Sequence, residues 1–202
     1  HAYWTVLAKL NRNSGRIAEA RDQLRTAMTL APDDSRTAQR LLFQSLLDAR
    51  LSPVEVRREH ERWAARFAAP HYPSSPPLAL PLQAGERLRI GYVSPDWGEH
   101  PVGQLSESFL RCHDRTRYEV FCYSCGENAS PRARTLSRLP EHWVDAAGLT
   151  DDALTARIRS DGIHILVDLA GHTRGGRLAV FARQPAPAQA TFLGYPATTG
   201  MA

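Results

Sequence analysis

The chain has 202 residues, 43% of them hydrophobic and 23% charged, enough for a sizeable core in one large or two modest domains. Lysine and arginine outnumber aspartate and glutamate by 25 to 21, but Lys9 is the only lysine and the arginines form no dense basic block. A nucleic-acid surface needs its charge gathered on one face, so this balance reads as solvated helix faces and ion pairs, with no nucleic-acid partner.

Residues 1–34 carry a helical pattern in which Trp4, Leu7, Ala8, Ala20, Leu24, Ala27 and Pro32 fall in phase. Small residues at 8, 20 and 27 let two helices approach closely, Gly15 turns the chain between them, and Pro32 stops the second. The spacing resembles a tetratricopeptide repeat, a unit that buries its apolar face only by stacking on a neighbour. The chain starts at His1 rather than methionine, so further repeats are expected ahead of it.

Asp33-Asp34-Ser35 offers a new N-cap, and Leu41, Leu42, Leu46 and Leu47 continue at helical spacing. Ser52-Pro53 with Glu55 three residues on predicts a capping box, and a helix through His60, Trp63 and Phe67 to about Ala69. His60 lies among charged neighbours and is given no chemistry. Pro70, Pro73, Pro76, Pro77 and Pro81 then rule out helix and central strand. The expected domains are therefore a helical region over 1–69, a proline-rich linker over 70–86 and an α/β lobe over 87–202.

After the linker the period changes. Strands are predicted over 88–93, 118–123, 142–144, 163–169 and 190–193, and helices over 105–111, 132–139, 150–160 and 177–182. This alternation argues for a doubly wound, mainly parallel sheet of Rossmann-like type, covered on both faces. Cys112, Cys122 and Cys125 make an odd number without a disulfide framework. Cys122 and Cys125 have CxxC spacing, but no second ligand pair accompanies them, so they are read as structural and no metal is expected. No apolar run is long enough to span a bilayer and no signal peptide is visible, so a cytoplasmic location without membrane attachment is expected.

Three loops follow strand ends: 94–101, 168–176 and 194–200. In an open α/β sheet such loops converge on one cleft. None has the GxGxxG or P-loop pattern, which disfavours a Rossmann dinucleotide or ATP site. Their glycines suit close backbone approach to a ligand, and their amides suit phosphate or sugar oxygens. In the first loop Asp96 and His100 are the candidates: an imidazole can accept a proton from a hydroxyl, and a nearby carboxylate can orient it. The plainer readings are Asp96 as the cap of the next helix and His100 as an exposed loop residue. His164 reads as a core histidine within its strand. His172 and Thr173 are cleft candidates on the second loop.

Arg89-Ile90-Gly91-Tyr92-Val93-Ser94-Pro95-Asp96, with Gly98-Glu99-His100-Pro101, resembles the opening of the catalytic region of O-GlcNAc transferases. So do 118–123, 161–169 and the run from Arg183-Gln184-Pro185 to Gly194-Tyr195-Pro196-Ala197-Thr198. The resemblance implies the N-terminal lobe of an inverting, metal-independent GT-B glycosyltransferase. Such enzymes move N-acetylglucosamine from UDP-GlcNAc to serine or threonine hydroxyls of a protein or peptide acceptor. It further implies that His100 is a general base or acceptor-side group with Asp96 beside it, and that Leu193, Gly194, Pro196 and Thr198 approach the donor sugar. Gln104 and His172 depart from the animal members, which points to a bacterial relative. The family's C-terminal lobe, which holds most of the uridine and diphosphate contacts, is not expected within these residues, so the segment alone is expected to be inactive. The rival readings are an inactive repeat–Rossmann scaffold and another GT-B sugar-nucleotide enzyme.

Overall fold

A computed structural model describes residues 1–75, 80–127 and 129–201, so 76–79 of the expected linker lie outside it. The chain forms two compact units: His1–Pro70 together with the residues from Ala197 onward, and His71–Pro196.

The first unit is helical: α1 (Ala2–Asn13), α2 (Ile17–Leu30), α3 (Ser35–Ser45) and α4 (Pro53–Trp63). Gly15, at φ +75°, makes the first turn. Ala8, Ala20 and Leu24 bury one another, with Leu41 packed alongside, so the small residues do bring α1 and α2 together. Each later helix start has a local cause. The Asp34 carboxylate accepts from the Arg36 and Thr37 amides, and Ser52 and Glu55 complete a reciprocal capping box. Beyond Trp63 the helix widens into a π-turn over Ala64–Ala68 and tightens into a 3₁₀ turn over Ala69–His71.

Arg21 is the polar centre of this unit. It is 2% exposed, bonds the Ser45 hydroxyl and the Glu59 carboxylate, and lies 3.6 Å from Asp48. A guanidinium so buried persists only where carboxylates surround it. His60 lies in α4 as expected; it is fully buried, and its Nδ1 donates to the Val56 carbonyl at 2.7 Å. Burial depresses its pKa, which the hydrogen bond to Val56 and nearby Glu59 partly offset.

The second unit is a five-stranded parallel sheet in the order β3-β2-β1-β4-β5. Its elements are β1 (Leu88–Ser94), α5 (Pro101–Cys112), β2 (Tyr118–Ser124), α6 (Pro131–Leu136), β3 (His142–Asp145), α7 (Asp151–Ser160), β4 (Ile165–Asp168), α8 (Leu178–Ala182) and β5 (Ala188–Thr191). One face of the sheet joins Ile90, Tyr92, Val120 and Cys122 to Val102 and Leu110 of α5 and Leu136 of α6. On the other face Gly91 leaves room for Leu166, Tyr123 and Ile163, each within 3.2 Å of where its Cβ would stand. Burial on both faces is what the apolar strand sequences require.

Two strands depart from their predicted spans. β4 begins at Ile165 because Gly162, at φ +63°, turns the chain just before it. His164 therefore precedes the strand, half-buried, accepting the Arg89 amide at Nδ1; it is not a core histidine. β5 runs two residues earlier than expected because its register with β4, Ile165 opposite Ala188 through Asp168 opposite Thr191, ends where β4 ends.

Candidate active site

The strand order reverses between β1 and β4, which lie side by side although β2 and β3 intervene in sequence. At such a switch point the loops beyond neighbouring carboxyl ends diverge and leave a crevice. The loops there are the one between β1 and α5 and the one after β4.

Trp97 anchors the first loop. It is fully buried, its indole N–H donates to the Tyr123 carbonyl at 3.4 Å, and its ring lies 5.5 Å from Trp143. Arg132 of α6 bridges Glu99 and Glu107 from outside. Asp96 does not cap α5; its amide donates to the Ser94 hydroxyl at 3.0 Å. The cap is His100, whose Nδ1 accepts the Val102 amide at 3.3 Å. The Asp96 carboxylate stands 3.9 Å from that Nδ1, with the histidine side chain 48% exposed and the aspartate 23%. Burial pushes the Asp96 carboxyl up from its ordinary range, and His100 pulls it partly back.

Asp168 holds the second loop. Its buried carboxylate accepts the Ala170 amide at 3.0 Å, the Gly171 amide at 2.8 Å and the Thr191 hydroxyl at 3.1 Å. Burial raises its pKa, and these three bonds oppose the rise. His172 is only 3% exposed and meets Tyr195 edge-on at 5.2 Å. The Thr173 hydroxyl donates to the Ala170 carbonyl at 2.8 Å, closing the turn.

The third loop carries backbone strain. Gly194 donates to the Phe192 carbonyl at 2.9 Å across Leu193, whose φ is +70°. That is the uncommon γ-turn with positive φ, costly for a branched side chain. Strain of this kind persists only where the surroundings enforce it, and it gathers at ligand-binding loops. Here a Cβ on Gly194 would lie 1.8 Å from the Leu169 carbonyl oxygen, and one on Gly171 would lie 2.4 Å from the Tyr195 Cβ. Gly175 presses on Pro95 in the same way, so the three loops form one body.

Gly171, Gly175 and Gly194 therefore serve loop-to-loop packing. The amides of Gly171, Gly176 and Gly194 are already spent on Asp168, Thr173 and Phe192. Asp96, His100, Leu193, Gly194 and Pro196 all lie on these loops. Thr198 belongs to the helical unit, where its hydroxyl accepts the Gly200 amide and it borders an open hollow of about 510 Å³ with Leu46, Leu51, Val56 and Arg57. Sequence reasoning missed Trp97 and Asp168 as the residues that hold the loops. The bulky indole between Asp96 and Gly98 was the available signal for the first, and an aspartate closing an apolar strand for the second.

All three cysteines are free. Burial pushes the thiols of Cys122 and Cys125 up, the latter to about 11, so the nucleophilic thiolate is disfavoured at both. Among the described residues no group of three or more His, Cys, Asp and Glu side chains could hold a metal ion, and no helix is long and apolar enough to cross a membrane.

Sheet order, two covered faces and three fused loops at the carboxyl ends define the second unit as a doubly wound, Rossmann-like lobe. The chain belongs to glycosyl transferase family 41, whose profile matches residues 71–202. It is 43% identical over 142 residues to a probable UDP-N-acetylglucosamine–peptide N-acetylglucosaminyltransferase of Arabidopsis thaliana, SEC, a match covering 68% of this chain and 14% of the plant protein. A UDP-N-acetylglucosamine–peptide N-acetylglucosaminyltransferase of Caenorhabditis elegans is 46% identical over 121 residues, which are 59% of this chain and 10% of the nematode one. A solved structure of a mutant O-GlcNAc transferase from Thermobaculum terrenum superposes with a TM-score of 0.94 at 38% identity, over 99% of this chain and 38% of that one. The fold is thus that of a GT-B N-terminal lobe preceded by helices. The chain spans well under half the length of these relatives.

Proposed function

We propose that this chain supplies the acceptor-side half of an inverting glycosyltransferase that moves N-acetylglucosamine from UDP-GlcNAc to serine or threonine hydroxyls of a protein or peptide. The observation that carries the reading is the loop body at the switch point. The family's loops come together there, with Asp96 and His100 3.9 Å apart on one and a strained turn at Leu193 on another. In the reaction the acceptor oxygen bonds to the anomeric carbon as the bond to UDP breaks, and the hydroxyl proton is released. Leu193, Gly194 and Pro196 approach the donor sugar, and His100 and Asp96 face the acceptor. In this reading no metal takes part, and the uridine and diphosphate are held by a C-terminal lobe.

The helical unit fits a tetratricopeptide stack that guides the acceptor, supported by the buried Ala8, Ala20 and Ala27. Unpaired cysteines favour a reducing, cytoplasmic setting. The test is incubation of the full-length protein with UDP-GlcNAc and a panel of serine- and threonine-containing peptides, read by mass spectrometry. A mass increase of one N-acetylhexosamine with release of UDP is expected. Hydrolysis of the donor without any modified peptide would reject a peptide acceptor, and no UDP release at all would reject the transferase.

A further inference from the structure

The strained turn at Leu193 is pinned on the sheet side, where Gly194 lies against the Leu169 carbonyl and Tyr195 against Gly171. From Ala197 onward the chain belongs to the helical unit. Gly200 is its point of attachment there. A Cβ on Gly200 would stand 2.2 Å from the carbonyl oxygen of His60 and 2.8 Å from the amide nitrogen of Glu61, so the residue lies directly on the backbone of α4. Its φ of +77° is a second reason for a glycine. The Gly200 amide donates to the Thr198 hydroxyl at 3.0 Å and the Met201 amide to that of Thr199 at 3.4 Å, so two side-chain turns keep the segment folded. The seat is the last turn of α4, just before the helix widens over Ala64–Ala68. Such π-turns recur at functional sites.

Resting on the reading that 193–196 approaches the donor sugar, we infer that Gly200 is a positioning residue for that loop. It touches no substrate. Seated on α4, it ties the turn at Leu193 to the helical unit, so the helices share with the sheet in setting where the turn stands. Four residues, 196–199, separate the attachment at Gly200 from Tyr195, and Pro196 has its φ fixed. Each residue adds at most about 3.5 Å of reach, so the tether has little slack and passes a shift of α4 to the loop.

The test compares Gly200→Ala, Gly200→Asn and Thr198→Val in the full-length protein, by hydrogen exchange and by kcat/KM with UDP-GlcNAc and an acceptor peptide. Asparagine tolerates a positive φ but brings the same Cβ, so it separates the contact with α4 from the backbone conformation. Thr198→Val keeps the glycine and removes only the oxygen that accepts its amide, which leaves a testable variant if both glycine substitutions prevent folding. In both glycine variants exchange over 192–195 is expected to rise at least about tenfold, while Ala170 and Gly171 stay protected. kcat/KM should fall roughly 10²-fold, the scale of a misplacement far from the chemistry. Thr198→Val should shift both readouts in the same direction, by about twofold to fivefold. Faster exchange confined to 197–201 and α4, with 192–195 and kcat/KM as in wild type, would show a merely structural contact and overturn the inference. So would wild-type behaviour of Gly200→Asn. Failure of the wild type to turn over UDP-GlcNAc would remove the transferase reading, and the exchange result would still decide whether Gly200 holds the loop.

Discussion

Gly194 lies against the carbonyl of Leu169 so closely that a Cβ at position 194 would stand 1.8 Å from that oxygen. The contact is backbone on backbone, so neither partner can swing aside as a side chain would. Gly194→Ala is therefore expected to cost at least about 2 kcal/mol, in the upper range for overpacking. The measurement is the midpoint of chemical denaturation, and an unchanged midpoint would show that the two loops are not packed as described.

Asp168 makes the complementary prediction for the second loop. Asp168→Asn keeps the shape but replaces one acceptor oxygen with an N–H that faces the amides of Ala170 and Gly171 or the Thr191 hydroxyl. A loss of about 1–3 kcal/mol is expected, the cost of stranding buried polar groups. Faster amide exchange at Ala170 and Gly171 should accompany it. Wild-type protection at both amides would contradict the latch.

In the helical unit, Asp48 sets a pH window. The side-chain hydrogen bond from Arg50 is the largest influence on its carboxyl, and with Arg21 nearby it is held down to about 2 against an ordinary 3.8. A depressed carboxyl stabilises the fold above its unfolded pKa. That contribution is complete above about pH 4 and is lost as the pH falls through about 2. Thermal midpoints recorded down this range should fall more steeply for wild type than for Asp48→Asn. Parallel curves would remove Asp48 from the account.

Features fixed by neighbours in sequence were legible before the structure. The Ser52–Glu55 capping box, Gly15 in its turn and the alternation of strands and helices each depend on a few adjacent residues. What escaped depends on distant partners. Nothing local shows that Trp97 will be swallowed beneath Tyr123, that His60 will be buried in its helix, or that pairing with β4 will stop β5 at Thr191. The same holds for the site. Its loops could be placed from strand ends, but their glycines turned inward onto one another, because the reach of a loop is set by the loop it meets. Between Asp96 and His100 the sequence showed adjacency alone; which of them caps α5 emerged only from the geometry.

The central claim is that the crevice beyond β1 and β4 holds the substrates. Hydrogen exchange of the full-length protein, with and without UDP-GlcNAc and an acceptor peptide, tests it most directly. Added protection is expected over 94–101, 168–176 and 192–196, with the opposite end of the sheet around Arg87, Arg89 and His164 unchanged. Protection confined to that opposite end, or no change at the three loops while substrate is being consumed, would contradict it.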